Sequence, residues 1–183
     1  DVEMLSTGNF HLMALALAGD SLAMALSSVA AMAVGRIVKL MHADFTQLPR
    51  YLSPVGGPSA GLVSMQKTAV ALYGEVRRHA NPAGLDQFAV SETVEDHSAQ
   101  APLVYAKLGD QLAAFERLVA LEMLVAAQAV DLRKPARLGA LSTSLHSAIR
   151  AAVPPLNEDR ESGADVEKIV ALLRKVEPTD PAL

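Results

Sequence analysis

The sequence predicts an all-α protein, with long antiparallel helices forming a bundle followed by a short helical tail. Three observations lead there. The apolar half of the chain is Ala, Leu, Val and Met, with only 4% aromatic residues and no Trp. Such residues suit close-packed helices better than sheets. Breaker clusters at Ser53–Pro58, Asn81-Pro82, Lys134-Pro135 and Pro154-Pro155 cut the chain into helix-length spans. No stretch alternates as a strand, and no internal repeat is visible.

The first helix is expected from about Phe10 to Met41, after a Thr7-Gly8-Asn9 turn. Gly19 and Gly35 weaken it locally but permit close helix contact. A second runs from about Ser59 to Ala80, where Asn81-Pro82 ends it. Residues 81–98 lack periodicity and read as an irregular connection. A third long helix spans about Ala101 to Leu132, with Pro102 tolerated in its first turn. A shorter helix occupies about Ala136 to Ala152. The last covers about Ala164 to Val176, where Val166, Ile169, Val170 and Leu173 recur at helical spacing. Residues 1–133 thus form the bundle and 134–183 the tail.

With 183 residues and 51% hydrophobic content, the chain can build one sizeable core. Net charge is −4 and no basic stripe occurs, which argues against a nucleic-acid partner. Cysteine is absent, so disulfides and thiolate metal sites are excluded, and a cytoplasmic location is expected. The start, Asp1-Val2-Glu3, is not a signal peptide and reads as a truncation, a processed end or an engineered boundary. Leu12 to Val34 is long and apolar enough to suggest a membrane span. Asp20 near its middle is costly in a bilayer, so a buried bundle helix is expected and no membrane contact.

Taken alone, the polar residues have ordinary readings. Phe10 is a core or staple residue at a helix start, and His11 a surface or capping histidine. Glu95 and Asp96 are solvated loop carboxylates. Gly56–Gly61 is a helix–helix turn, since no Gly-Lys-Ser/Thr follows to make a phosphate loop. Met24 and Met32 are core fillers. Glu116-Arg117 and Glu158-Asp159-Arg160 are surface charges. His11, His42, His79, His97 and His146 share no helical register with carboxylates, so no metal site is expected.

Four runs stand out in order: Gly8-Asn9-Phe10-His11, Glu95-Asp96-His97, Ala126–Arg133 and Val153–Arg160. With these spacers they resemble the C-terminal part of the histidine ammonia-lyase family, the aromatic amino acid ammonia-lyases. The resemblance covers nearly the whole chain. Asp20 falls on a family aspartate, Arg36 on an arginine of a Glu-Arg-Arg run, and Gly57 and Gly61 on a glycine pair. Glu75 and Arg77 resemble a Glu-Asn-Lys run, and Leu121-Glu122 is a close match. Departures occur at Leu12 (for Gly), Val34 (Glu), Val76 (Asn) and Val94 (Gln). They place apolar residues where the family has small or polar ones.

The resemblance implies an L-aspartase/ammonia-lyase-like helical fold and elimination of ammonia from L-histidine, giving urocanate. The family uses a 4-methylidene-imidazol-5-one group (MIO), an electrophile that draws in electron density while a base removes the β-proton. It forms from an Ala-Ser-Gly tripeptide, which does not occur in this chain. Carried over, Phe10 packs beside that group and is catalytic. Glu95 is catalytic and substrate-binding, and His11 with Glu95 points to histidine as substrate. The family's catalytic tyrosine and carboxylate-binding arginine lie upstream, so this chain alone is expected to be inactive. Expected partners are the amino-acid substrate, a missing N-terminal half and further copies of the chain, tetrameric in the family. Two alternatives stay open: part of an aminomutase, and a helical interaction module that kept the scaffold without its chemistry.

Overall fold

The computed structural model describes Glu3 and residues 11–85, 88–92, 98–135 and 137–175. Helix α1 spans Met13–Leu40, α2 Ala43–Thr46, α3 Val63–His79, α4 Ala101–Arg133, α5 Ala140–Ala152 and α6 Gly163–Leu173. A 3₁₀ turn occupies Arg50–Leu52. No strand occurs among the described residues. The long helices match the sequence expectation to within a few residues at each end. The region between α1 and α3 differs most. There α2 and the 3₁₀ turn fold where only a breaker was expected, and α3 begins at Val63 rather than near Ser59.

Contacts across the bundle give its topology. Tyr105 of α4 donates to the Leu15 carbonyl of α1, and Arg36 pairs with Glu122, so α1 and α4 run in the same direction. Gln111 reaches the Val76 carbonyl and Lys107 the Asn81 carbonyl, so α3 runs opposite to α4. Consecutive long helices are therefore antiparallel, in an up-down-up arrangement. The tail helix α6 packs on α4 through Arg174–Glu116 and Arg117–Glu167.

The reason α1 fits so closely is its stripe of small residues. Ala16, Gly19, Asp20, Ala23, Ser27, Ala30, Ala33 and Ile37 are its buried positions, at the spacing of one helix face. A Cβ on Gly19 would stand 2.7 Å from Val104 Cγ1, so only glycine allows the helices this approach. Nothing lies within 4 Å of a Cβ on Gly35, which has no such role. The larger residues of α1 lie on its other faces. Met24 and Met32 are 47% and 56% exposed, which corrects their assignment as core fillers. Likewise α1 is long and apolar enough to cross a membrane, and 28% of its apolar window is buried in this chain. It is a bundle helix buried along one stripe, not all round.

The main core joins α1, α3, α4 and the tail around Ile37, Leu52, Leu118, Leu121, Val125, Val153 and Ile169. Val76, one of the departures, is fully buried in it, and Val34 packs against it. Both substitutions serve the apolar packing of the bundle. Two buried glutamines of α4 tie the main chain together. Gln111 Nε2 donates to the carbonyls of Ala23 (2.8 Å) and Val76 (3.0 Å), joining three helices at one level. Gln128 Nε2 donates to Leu156 O at 3.0 Å and its Oε1 accepts from Leu156 N at 2.9 Å.

Candidate active-site end of the bundle

A second, smaller apolar cluster forms where α1 and α4 begin. It comprises Ala16, Ala83, Ala99, Ala101 and Val104, with Met13 packed against it. Ala83 and Ala99 flank the irregular connection that carries Glu95. This cluster therefore brings both ends of that connection to the first turns of α1, immediately after His11. Phe10, Glu95, Asp96 and His97 themselves lie outside the described residues. His11 is exposed at the head of α1, next to the exposed Leu12. Of the sequence-predicted site residues, the structure thus describes His11, together with the two ends, at Ala83 and Ala99, of the connection that carries Glu95.

The polar anchor of this end is Asp20. It is 5% exposed and its carboxylate points out of α1 toward the connection. Oδ1 and Oδ2 accept from Ala83 N at 3.2 and 3.1 Å, and Oδ2 also accepts from Gly84 N at 2.8 Å. Buried main-chain donors must find acceptors, and a carboxylate offering both oxygens satisfies two adjacent N–H groups at once. Gly84 leaves room for it, since a Cβ there would stand 3.0 Å from Oδ2 and 3.3 Å from Ala16 Cβ. In the sequence Asp20 is legible only as a charge in an apolar helix, because its partner Ala83 lies 63 residues away.

The opposite end of the bundle holds the tail. The Asp159 carboxylate accepts from Ser59 Oγ (2.7 Å), Ala60 N (2.8 Å) and Gly61 N (2.9 Å). The Ser59 hydroxyl first, then the two N–H groups, hold the Asp159 carboxyl below its ordinary range. Gly56, Gly57 and Gly61 all have positive φ, so Gly56–Gly61 is a turn, as expected, and its last donors face the tail. Arg160 pairs with Asp165 and donates to Pro154 O. Glu158–Arg160 is thus no run of idle surface charges. Asp159 fastens the tail to the Ser59–Gly61 turn, and Arg160 ties the tail to itself at Pro154 and Asp165.

Two further polar groupings were missed. Arg36 and Glu122, noted separately in the sequence, form a bidentate pair between α1 and α4. Asp131 Oδ1 lies 2.7 Å from His146 Nε2, and its Oδ2 lies 2.7 Å from Arg150 Nε without hydrogen-bond alignment. Burial draws the Arg150 guanidinium below its ordinary range, and Asp131 partly offsets this. The available signal was register. Gln111, Gln128 and Asp131 are polar residues close to or on the apolar stripe of α4. Among the described residues, no group of three or more His, Asp or Glu stands close enough to hold a metal ion.

A chain of this shape has the fold of the ammonia-lyases and aminomutases. It superposes on ergothionase of Treponema denticola, an ergothioneine-degrading enzyme, with a TM-score of 0.86 and 32% identity, over 93% of this chain and 34% of that one. It superposes equally on phenylalanine aminomutase of Pantoea agglomerans, with a TM-score of 0.87 and 25% identity, over 93% of this chain and 34% of that one. In sequence it is 36% identical to histidine ammonia-lyase of Symbiobacterium thermophilum over 177 residues, covering 97% of this chain and 35% of that protein. Residues 1–151 match the aromatic amino acid lyase family, and the chain belongs to that family. It spans about a third of the length of the relatives it matches.

Proposed function

We propose that this chain is the C-terminal helical portion of an ammonia-lyase that converts L-histidine to urocanate and ammonia. The observation that supports the reading is the small apolar cluster. It draws the connection carrying Glu95 and the helix following Phe10-His11 to one end of the bundle, and these are the two segments that the family resemblance singles out. A carboxylate at Glu95 would hold the substrate's amino group or imidazole ring, or relay a proton. His11 would face the substrate from the head of α1.

The family's MIO group supplies the electrophile when present. Its precursor tripeptide is not in this sequence. The described surface at the head of α1 includes exposed His11, Leu12 and Leu15, a mainly apolar lining that would suit the planar ring which the family resemblance sets beside Phe10. The chain's own work is to hold Glu95, Phe10 and His11 in register, not to supply the electrophile. Leu15, Leu22, Met24 and Met32 leave an apolar surface on α1, which fits assembly with the remainder of the enzyme or with further copies.

The test is turnover of L-histidine by the full-length protein, followed as urocanate absorbance and released ammonia. Glu95→Ala should lower kcat about 100-fold or more, within the range for loss of a proton-transferring group, with the melting temperature unchanged. Unimpaired turnover in this variant would remove Glu95 from the chemistry. A β-amino acid product would point to an aminomutase, and no turnover of any aromatic amino acid to a scaffold without chemistry.

A further inference from the structure

We infer that the tail acts as a clamp: its docking holds the loop of residues 50–61 in a strained backbone conformation and so sets the wall of the cavity beside that loop. The inference goes beyond the reaction proposed above and does not depend on it. Three features carry it. Tyr51 and Leu52 are consecutive left-handed residues, with φ of 54° and 56°. Bulky residues occupy that region at a cost and stay there only where their surroundings hold them. The tail provides such a hold at two places. Gln128 Nε2 donates to Leu52 O at 3.4 Å and to Leu156 O at 3.0 Å, so one amide joins the strained pair to the tail. Asp159 accepts from Ser59 Oγ, Ala60 N and Gly61 N at the far side of the loop. From there the contacts run back to the strained pair. Ser53 Oγ donates to Ser59 Oγ at 2.6 Å and accepts from Gly56 N at 3.2 Å. Gly61 packs so closely that a Cβ on it would stand 2.6 Å from Tyr51 O.

The clamped residues line a cavity of about 380 Å³ between the end of α1, α2 and α3. Arg50 and Tyr51 form one wall, with Met41, His42 and Gln66 among the others. The Arg50 guanidinium lies 4.6 Å over the Tyr51 ring and donates to its hydroxyl at 2.9 Å. The two side chains therefore move as a unit with the Tyr51 backbone. Return of Tyr51 to the ordinary negative φ region, once the tail leaves, would reshape this wall. Coupling of this kind is reciprocal: a molecule that fills the cavity in its clamped shape would also favour the docked tail.

The experiment uses the full-length protein with Asp159→Ala, Tyr51→Gly and Tyr51→Ala, and with each Tyr51 variant combined with Asp159→Ala. Hydrogen exchange is read at the amides of Tyr51 and Leu62, which donate to Met41 O and Tyr51 O and do not touch Asp159. Leu121 of the main core serves as the reference. Asp159→Ala should speed exchange at least about tenfold at Tyr51 and Leu62 and leave Leu121 unchanged. Acceleration confined to Ala60 and Gly61 would mean that Asp159 holds only its own donors, and would overturn the inference. Equal acceleration at Leu121 would mean a global loss of stability, and would overturn it too. The Tyr51 pair tests the strain, because both variants lose the same ring and only glycine escapes the cost of the left-handed backbone. In the Asp159→Ala background, exchange at Leu62 should be at least about threefold slower with Tyr51→Gly than with Tyr51→Ala. A glycine variant no slower than the alanine one leaves no strain for the tail to hold, and the inference falls. None of these readouts uses turnover of histidine, so failure of the proposed reaction and failure of the clamp are distinguished.

Discussion

Replacing Gln128 by leucine should release the tail from the bundle. The side chain is 3% exposed and sits in α4 beside the segment that follows Pro154-Pro155. It pairs with both main-chain groups of Leu156, itself 4% exposed, and Nε2 also reaches Leu52 O at 3.4 Å. Leucine has similar bulk, so no cavity opens, but the N–H and C=O of Leu156 lose their partners. Each such buried group costs about 1–3 kcal/mol when left unmade. Added apolar burial offsets roughly 1 kcal/mol of this. The expected net loss is about 3 kcal/mol, measured as a shift of the urea midpoint at constant slope. Its upper limit is the cost of undocking the tail, because beyond that the chain relieves the unpaired groups by detaching residues 153–175. Limited proteolysis would then cut near Pro154-Pro155 in the variant first. Gln128→Glu should be worse than leucine, since it cannot donate to Leu156 O and carries a charge into the core. A leucine variant within 0.5 kcal/mol of the parent, a margin typical of inert surface changes, would refute the claim that this amide fastens the tail.

Glycine substitutions in α1 should diverge in sign. Gly19→Ala meets Val104 Cγ1 at 2.7 Å and Tyr105 Cζ at 3.3 Å, and should cost about 1–3 kcal/mol by overpacking. Gly35→Ala meets nothing and should gain about 0.5–1 kcal/mol from helix propensity, raising the thermal midpoint. The tail contacts should also weaken in acid. Asp159 is held below its ordinary value by Ser59, Ala60 and Gly61, and Glu116 below its own first by Arg174. A depressed folded-state value contributes stability that is present above the unfolded value and is lost as pH falls through the folded one. Proteolytic release of the tail should therefore accelerate below about pH 4, where an unfolded aspartate begins to bind protons. Asp159→Asn should flatten that dependence, and an unchanged profile in this variant would exclude Asp159 as a source of it.

Much of the architecture is legible in the sequence alone. Proline pairs and apolar periodicity place helices locally, because helix stops and a 3.6-residue stripe are properties of neighbouring residues. That is why α1, α3, α4, α5 and α6 fall where the sequence places them. The same local logic failed between Met41 and Val63. There the chain is held by long-range hydrogen bonds, Tyr51 N to Met41 O at 3.0 Å and Leu62 N to Tyr51 O at 2.9 Å, with Tyr51 in the left-handed region at φ 54°. It failed again for Met24 and Met32, because apolarity states that a residue avoids water but not which neighbour will cover it.

By itself, then, the sequence determined the helices, their order, the family and the segments that bear the candidate chemistry. All of these depend on residue type and spacing along the chain. Tertiary structure alone decided the partners of Asp20, Gln111, Gln128 and Asp159. It also decided which glycine lies at a helix crossing and which face of α1 stays open. Each of these is a contact between residues distant in sequence, made by whichever donor, acceptor or small side chain the packed helices bring within reach.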